Sequence, residues 1–203
     1  MGFDLYGIKP HNPDNLVKPE IDYDIWKTLS EEEQQKHWDA DTEYHNAVPG
    51  EYFRNNCWWW RPLWDYTCQH AGELLNDKDK EYGHSNDFHA ISSKKANYIG
   101  IKLLDLVNSG HAKEYEEEYM KDYNIAKEHN KEIEKACEIL HEIVKAKLES
   151  ETSVAPINYP EKEKADWDEL QGQKNWSSSY PFDTDNVKEF SHFCLESGGF
   201  KIG

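Results

Sequence analysis

Between Glu51 and Tyr66 the chain reads EYFRNNCWWWRPLWDY, and seven of these sixteen residues are aromatic. A run like this cannot stay in water. Burying its rings at about 25 cal/mol per Å² of apolar surface stabilises a fold by many kcal/mol, so the segment must be either the centre of a core or the wall of a pocket. The residues interleaved with the rings are Arg54, Asn55, Asn56, Arg61 and Asp65, groups that make directional hydrogen bonds. Arginine grips carboxylate or phosphate with two parallel bonds, asparagine reads an amide or a base edge, and a ring stacks on a planar ligand. Arg54, Asn55, Asn56, Trp58, Trp59, Trp60 and Arg61 are therefore the first candidate site, for a small anionic or nucleotide-like ligand. The same residues also suit a purely structural role, with arginines stacked on tryptophans and paired with an acid such as Asp65.

Spacing divides the run in two. Trp60, Leu63, Trp64, Thr67, Cys68 and Ala71 recur at intervals of three and four, which predicts a helix from about Arg61 or Pro62 to residue 75, with Pro62 in its first turn. Tyr52 to Trp59 are then left in extended or turn conformation, where site residues tend to sit. A second polar cluster, Gly83-His84-Ser85-Asn86-Asp87, precedes the next helical pattern. His84, Asn86 and Asp87 join the candidate list because histidine, amide and carboxylate together suit recognition or acid/base work. A turn followed by a helix cap explains the same residues.

The rest of the chain reads as mainly α. Phe3 to Ile8 alternates like a short strand, and Gly198 to Gly203 does the same, so the termini are expected to meet as a small β element. Ser30 and Glu33 form a capping-box signature for a short helix ending near His37 or Trp38, followed by turn formers from Asp39 to Gly50. Asn76 to Lys80 reads as a solvated loop. Ala96, Ile99, Leu103, Leu104 and Val107 mark a helix that begins at Ser92 or Ser93 and stops at Asn108-Ser109-Gly110. From 112 to 150 a heptad seam of Tyr119, Tyr123, Ala126, Asn130, Ile133, Cys137, Leu140 and Val144 predicts a helix on the order of 55 Å long. That length predicts a protruding helix, a helical hairpin, or a homo-oligomer through this arm. Residues 153–175 read as a covering loop with one short helix, Glu161 to Leu170, pinned by Trp167 and Trp176. A capped helix, Thr184 to Glu196, buries Val187, Phe190, Phe193 and Cys194 before the closing double glycine. The expectation is one domain over 1–203.

Charge narrows the partners. With 23 basic and 40 acidic residues the net charge is −17, which repels nucleic acid and anionic membranes, so neither is expected as a direct partner. Such acidity instead allows an inhibitor that mimics DNA towards a basic protein. Mean hydropathy is −0.99, but 13% aromatic residues supply the packing power that disordered acidic chains lack. No apolar run approaches the ~20 residues of a membrane span, and the opening residues lack the basic and apolar regions of a signal peptide. A cytoplasmic protein is expected. The four cysteines form no C-x-x-C and read as reduced core residues. Ten histidines show no paired-ligand spacing, so no metal is expected, and no cofactor is identified. Phosphate-loop, zincin, nucleophile-elbow and kinase signatures are absent.

The opening MGFDLYG, the centre YFRNNCWWWRPLW, the turn GHSND and the closing NVKEF with SGGF together resemble a group of small bacteriophage and bacterial proteins that carries no assigned activity. Ser85 stands where that group is expected to have an aromatic residue. The resemblance implies a phage-like source and nothing about mechanism. The Arg/Asn/Trp cluster, with no catalytic motif beside it, supplies the functional expectation: a phage-type accessory protein in the host cytoplasm that binds a small anionic or nucleotide-like ligand, or blocks a host protein, to counter host defence. The alternatives are a hydrolase of a phosphorylated or N-glycosidic substrate, with His84 or Asp87 as acid/base and Arg54 or Arg61 stabilising charge, and the acidic inhibitor or DNA mimic.

Overall fold

A computed structural model describes residues 2–150 and 152–203. It is mainly helical, with one small antiparallel sheet. The order of elements is β1 (Gly2–Gly7), α1 (Tyr23–Trp26), α2 (Glu31–Ala47), β2 (Tyr52–Asn56), α3 (Cys57–His70), α4 (Asp77–Tyr82), β3 (His89–Ser92), α5 (Ser93–Asn108), α6 (His111–Lys147), α7 (Glu161–Gly172), α8 (Thr184–Glu196) and β4 (Gly199–Ile202). Two compact units emerge, one of residues 1–116 with 182–203 and one of residues 117–181.

In the first unit the termini meet as the alternating patterns predict, β1 against β4, but the sheet is larger than a pair. Its order is β2-β1-β4-β3, all antiparallel. Side chains alternate across it, so Phe3, Leu5, Ile91, Phe200 and Ile202 are buried on one face, while Asp4, Tyr6, Tyr52, Arg54 and Lys201 share the other by register. The buried face packs against α3, α5 and α8. From α5 come Ala96, Ile99 and Leu103, and from α8 Val187, Phe190, Phe193 and Cys194, the faces that the three-and-four spacings predict. Asp183 caps α8 through the Asp185 N–H, and Gly198 and Gly199 (φ +61° and +98°) turn the chain from α8 into β4, a backbone region that favours glycine.

Several features differ from expectation. α2 has its capping box at Ser30 and Glu33 but runs on to Ala47, because Gln35 with Asp39 and Asp41 with His45 make i,i+4 pairs through the supposed turn region. α3 starts at Cys57, not Arg61, because the Asn56 side chain accepts from the N–H groups of Trp58 and Trp59. Pro62 therefore lies inside the helix and cannot donate to the Trp58 carbonyl, which local propensity disfavours. The expected loop at Asn76 is instead a capping box with Asp79 that opens α4. Trp176, expected to pin the covering segment, is 60% exposed.

In the second unit the heptad seam is used within the chain. Leu140 and Val144 of α6 form a cluster with Tyr159, Val154, Trp167 and Leu170, and the Trp167 ring meets Tyr159 edge-on at 5.7 Å. Asn130, the polar seam position, donates to the Asn175 carbonyl and the Ser178 hydroxyl and accepts from the Asn175 N–H. All its main capacities are met, so a buried amide is tolerated there.

Candidate functional site

Strand β2 feeds directly into α3, so the motif is split by alternation and by helix position, not left on irregular backbone. Arg54 points to the open sheet face, where its Nε lies 3.6 Å from an Asp4 carboxylate oxygen. Asn55 points the other way, is buried and donates to the Asn186 side-chain oxygen of α8 at 2.8 Å. Asn56 is the α3 cap. Trp60 is wholly buried, stacked on Phe3 at 5.5 Å and on Trp64 at 5.4 Å, with Phe190 edge-on. Trp64 is equally buried. Each of these two indoles contributes about 4–6 kcal/mol of gross burial before chain entropy is counted, and so they are floor, not ligand surface. Trp59 is half-buried and Arg61 exposed. Trp58 is 43% exposed. Trp58, Arg61 and Asp65 follow at i, i+3 and i+7 and share one face of α3.

The turn at 83–88 is docked onto this segment. Trp60 donates its indole N–H to the Gly83 carbonyl at 2.7 Å, and Trp64 donates to the Lys80 carbonyl at 3.0 Å. His84 Nε2 stands 3.3 Å from an Asp65 carboxylate oxygen, which places an imidazole beside the exposed α3 face. Asn86 donates to the Gly2 carbonyl at 2.7 Å and so ties the turn to β1. Asp87 is exposed. Phe88, at φ +56°, is 62% exposed and stacks on Tyr6 at 6.4 Å. The structure sets His84 beside Asp65, on the helix face that by spacing also carries Trp58 and Arg61, while Asn55, Asn56, Trp60 and Asn86 are committed to holding the fold.

Behind the turn lies an anchor that sequence reading missed. The Asp79 carboxylate is buried and receives His89 Nε2 at 3.0 Å, the Lys95 ammonium and the Asn76 N–H. Burial alone would raise its pKa, but hydrogen bonds from Lys95 and His89 and the Asn76 N–H outweigh it and hold the carboxyl below its ordinary value. The signal was an acid three residues after Asn76 together with a histidine on the following strand and a lysine on the following helix, residues far enough apart in sequence that no local pattern links them.

The open sheet face carries a second missed cluster. Asp4 accepts from the Tyr52 hydroxyl, whose pKa is pushed up by burial and then by this contact. The His45 ring lies 5.1 Å from Tyr52, with its nitrogens 2.7 Å from Glu51 and 3.2 Å from Asp41. Lys18 closes the chain with a 2.6 Å bond to Glu51. Two further histidines, His70 and His111, have rings 4.8 Å apart, and burial followed by the His111 charge lowers the His70 pKa. Among the described residues no group of three His, Cys, Asp or Glu is arranged to hold a metal ion, and no helix is long and apolar enough to cross a membrane.

Further cavities lie elsewhere among the described residues. One of about 650 Å³ opens between the Pro19–Trp26 segment and α2. In the second unit one of about 700 Å³ is lined by Cys137, His141 and Trp167 among others, and one of about 370 Å³ by Ile139, Ile143 and Leu170 among others. Comparison with protein families, curated proteins and solved structures finds no match to this chain.

Proposed function

We propose that this chain is a binding protein for a small anionic or nucleotide-like ligand, received on the exposed face of α3 and the adjoining turn. The observation that carries the reading is the pairing of a partly exposed ring, Trp58, with the exposed Arg61 one turn along the same helix face. The ring offers a stacking plane and the guanidinium a two-bond grip on phosphate or carboxylate. Trp60 and Trp64 hold that face from beneath, and the indole bonds to Gly83 and Lys80 fix the turn against it, the kind of support that keeps a site in one geometry. His84 borders the patch through Asp65. In the setting of a phage accessory protein, binding of this kind would remove a host signalling molecule and so counter host defence.

A thermal-shift screen against nucleotides and cyclic nucleotides tests this. A ligand that raises the unfolding temperature of the wild type, and not of Trp58→Ala or Arg61→Ala, supports the reading. No shift with any nucleotide would sink it.

The His84–Asp65 contact favours one second reading, a hydrolase of a phosphorylated or N-glycosidic substrate in which His84 moves a proton beside Arg61. It requires turnover that falls in His84→Gln with ligand binding retained. The acidic-inhibitor reading has less support. On α6, Lys113, Lys121 and Lys131 pair with Glu116, Glu118 and Glu128, which interrupts any single-sign stripe. Homo-oligomerisation through α6 would use the exposed Ile125, Ile139 and Ile143, since the heptad seam is covered within its own unit.

A further inference from the structure

A second site, independent of the α3 patch, lies where the segment around α1 crosses α2. Trp26 and Trp38 meet at 5.4 Å with their rings 82° apart, and His37 stands 6.4 Å from Trp26 at 69°. Tyr23 completes a wall of aromatic faces turned in different directions around the cavity of about 650 Å³. Two carboxylates also line it, Glu20 and Asp41, the second shared with His45 Nε2 at 3.2 Å, and among the described residues no lysine or arginine does. Gln34 of α2 donates to the Trp26 and Leu29 carbonyls, both at 3.3 Å, so the α1 wall is fastened to α2 and the box does not have to be assembled on binding. Tyr23 already holds a cation on one of its faces, the Lys27 ammonium at 4.1 Å.

Aromatic faces present negative potential, and several of them around one centre select a cation that is weakly hydrated. An anionic ligand is repelled by the two carboxylates, and a neutral one gains contact with the rings but leaves those carboxylates without a counter-charge. A compact inorganic ion would lose its water without ligating oxygens enough to replace it. The chemistry that fits is an alkylated ammonium, and the volume is that of a small-molecule site. We infer that the Tyr23/Trp26/Trp38 box is a binding site for a small organic cation of the alkylammonium class, with Glu20 and Asp41 supplying the charge complement. The chain's net charge of −17 raises the local concentration of such a ligand.

The experiment is calorimetric titration of the full chain with choline, and with 3,3-dimethylbutan-1-ol as its neutral isostere. Choline should bind, and the isostere at least about tenfold more weakly. Trp38→Ala and Glu20→Gln should each weaken choline by about tenfold while thermal unfolding stays put, since Trp38 is 58% exposed and Glu20 is also exposed. If Trp38→Ala disturbs folding, Glu20→Gln alone decides. Equal binding of the isostere, no heat with choline up to about 10 mM, or binding untouched in Glu20→Gln would each overturn the proposal. A trimethyl-lysine peptide that bound at least about tenfold more tightly than choline would overturn the assignment to a small molecule in favour of a protein tail. None of these results depends on Trp58 or Arg61, so this site and the α3 patch stand or fall separately.

Discussion

Gly83 is the position where the fold and the candidate site are most tightly joined, and replacing it with alanine should be costly out of proportion to one methyl group. Its backbone dihedrals are ordinary helical ones, φ −64° and ψ −15°, so conformation is not the reason. Space is. An added Cβ would stand 2.0 Å from both Cε2 and Nε1 of Trp64. That ring cannot retreat, because it is wholly buried, stacked on Trp60 and bonded to the Lys80 carbonyl. The turn must lift instead, and lifting it pulls the Gly83 carbonyl from the Trp60 indole. Overpacking of this kind costs about 1–3 kcal/mol, and a lost buried hydrogen bond adds about 1 kcal/mol or more. Urea unfolding of Gly83→Ala should therefore show a loss of about 2–4 kcal/mol. In a Trp64→Leu background the same substitution should cost at least about 1 kcal/mol less, because the obstructing ring has gone. A Gly83→Ala protein within about 0.5 kcal/mol of wild type, or additivity in the double mutant, would refute the docking of the turn on the tryptophan floor.

Three other outcomes follow from named contacts. Asp79→Asn should lower stability at neutral pH by about 3–5 kcal/mol, because Lys95 loses its buried counter-charge and His89 its carboxylate partner. In the wild type the Asp79 carboxyl is held below its unfolded value, so its contribution is complete above about pH 4 and is lost as pH falls through the folded value; urea midpoints from pH 7 to 3 should show that acid-side loss in the wild type and a shallower one in Asp79→Asn. Burial, then the Asp65 carboxylate, pushes the Cys68 thiol up to about 12. Its alkylation at pH 8 should run about a thousandfold slower in the native protein than in urea, which peptide mapping after iodoacetamide would read. Asn130→Ala should destabilise the second unit by about 1–3 kcal/mol, since the Asn175 N–H and carbonyl are left without it, and limited proteolysis of residues 171–181 should accelerate.

What the sequence made legible was what depends on local pattern. The inward residues of α5, α8 and α6 stand at helical spacing, and the alternation at each terminus announced the two strands that pair. The Ser30 capping box was readable because its two partners are three residues apart. Cases that went unread depend on contacts distant in sequence. Tyr52-Phe53-Arg54-Asn55-Asn56 became a strand because β1 was there to pair with it, and Pro62 was tolerated inside α3 because the buried face of that helix repays the missing bond. His89 to Ser92 joined the sheet only through β4. Of the candidate site, the residue types could be read, but their division into committed and exposed was invisible. Asn55 needed Asn186, Asn86 needed Gly2, and Trp60 needed Gly83, partners from 23 to 131 positions away.

The aromatic run divides into a buried floor of Trp60 and Trp64 and an outward face of Trp58 with Arg61. Indole N–H resonances in a ¹⁵N-edited spectrum, followed while a nucleotide that passes the thermal-shift screen is added, read that division residue by residue. The Trp58 resonance should move saturably, those of Trp60 and Trp64 should stay fixed in their bonds to Gly83 and Lys80, and Arg61→Ala should abolish the movement. A Trp58 resonance that does not respond, or a response centred on Trp60 and Trp64, would contradict it.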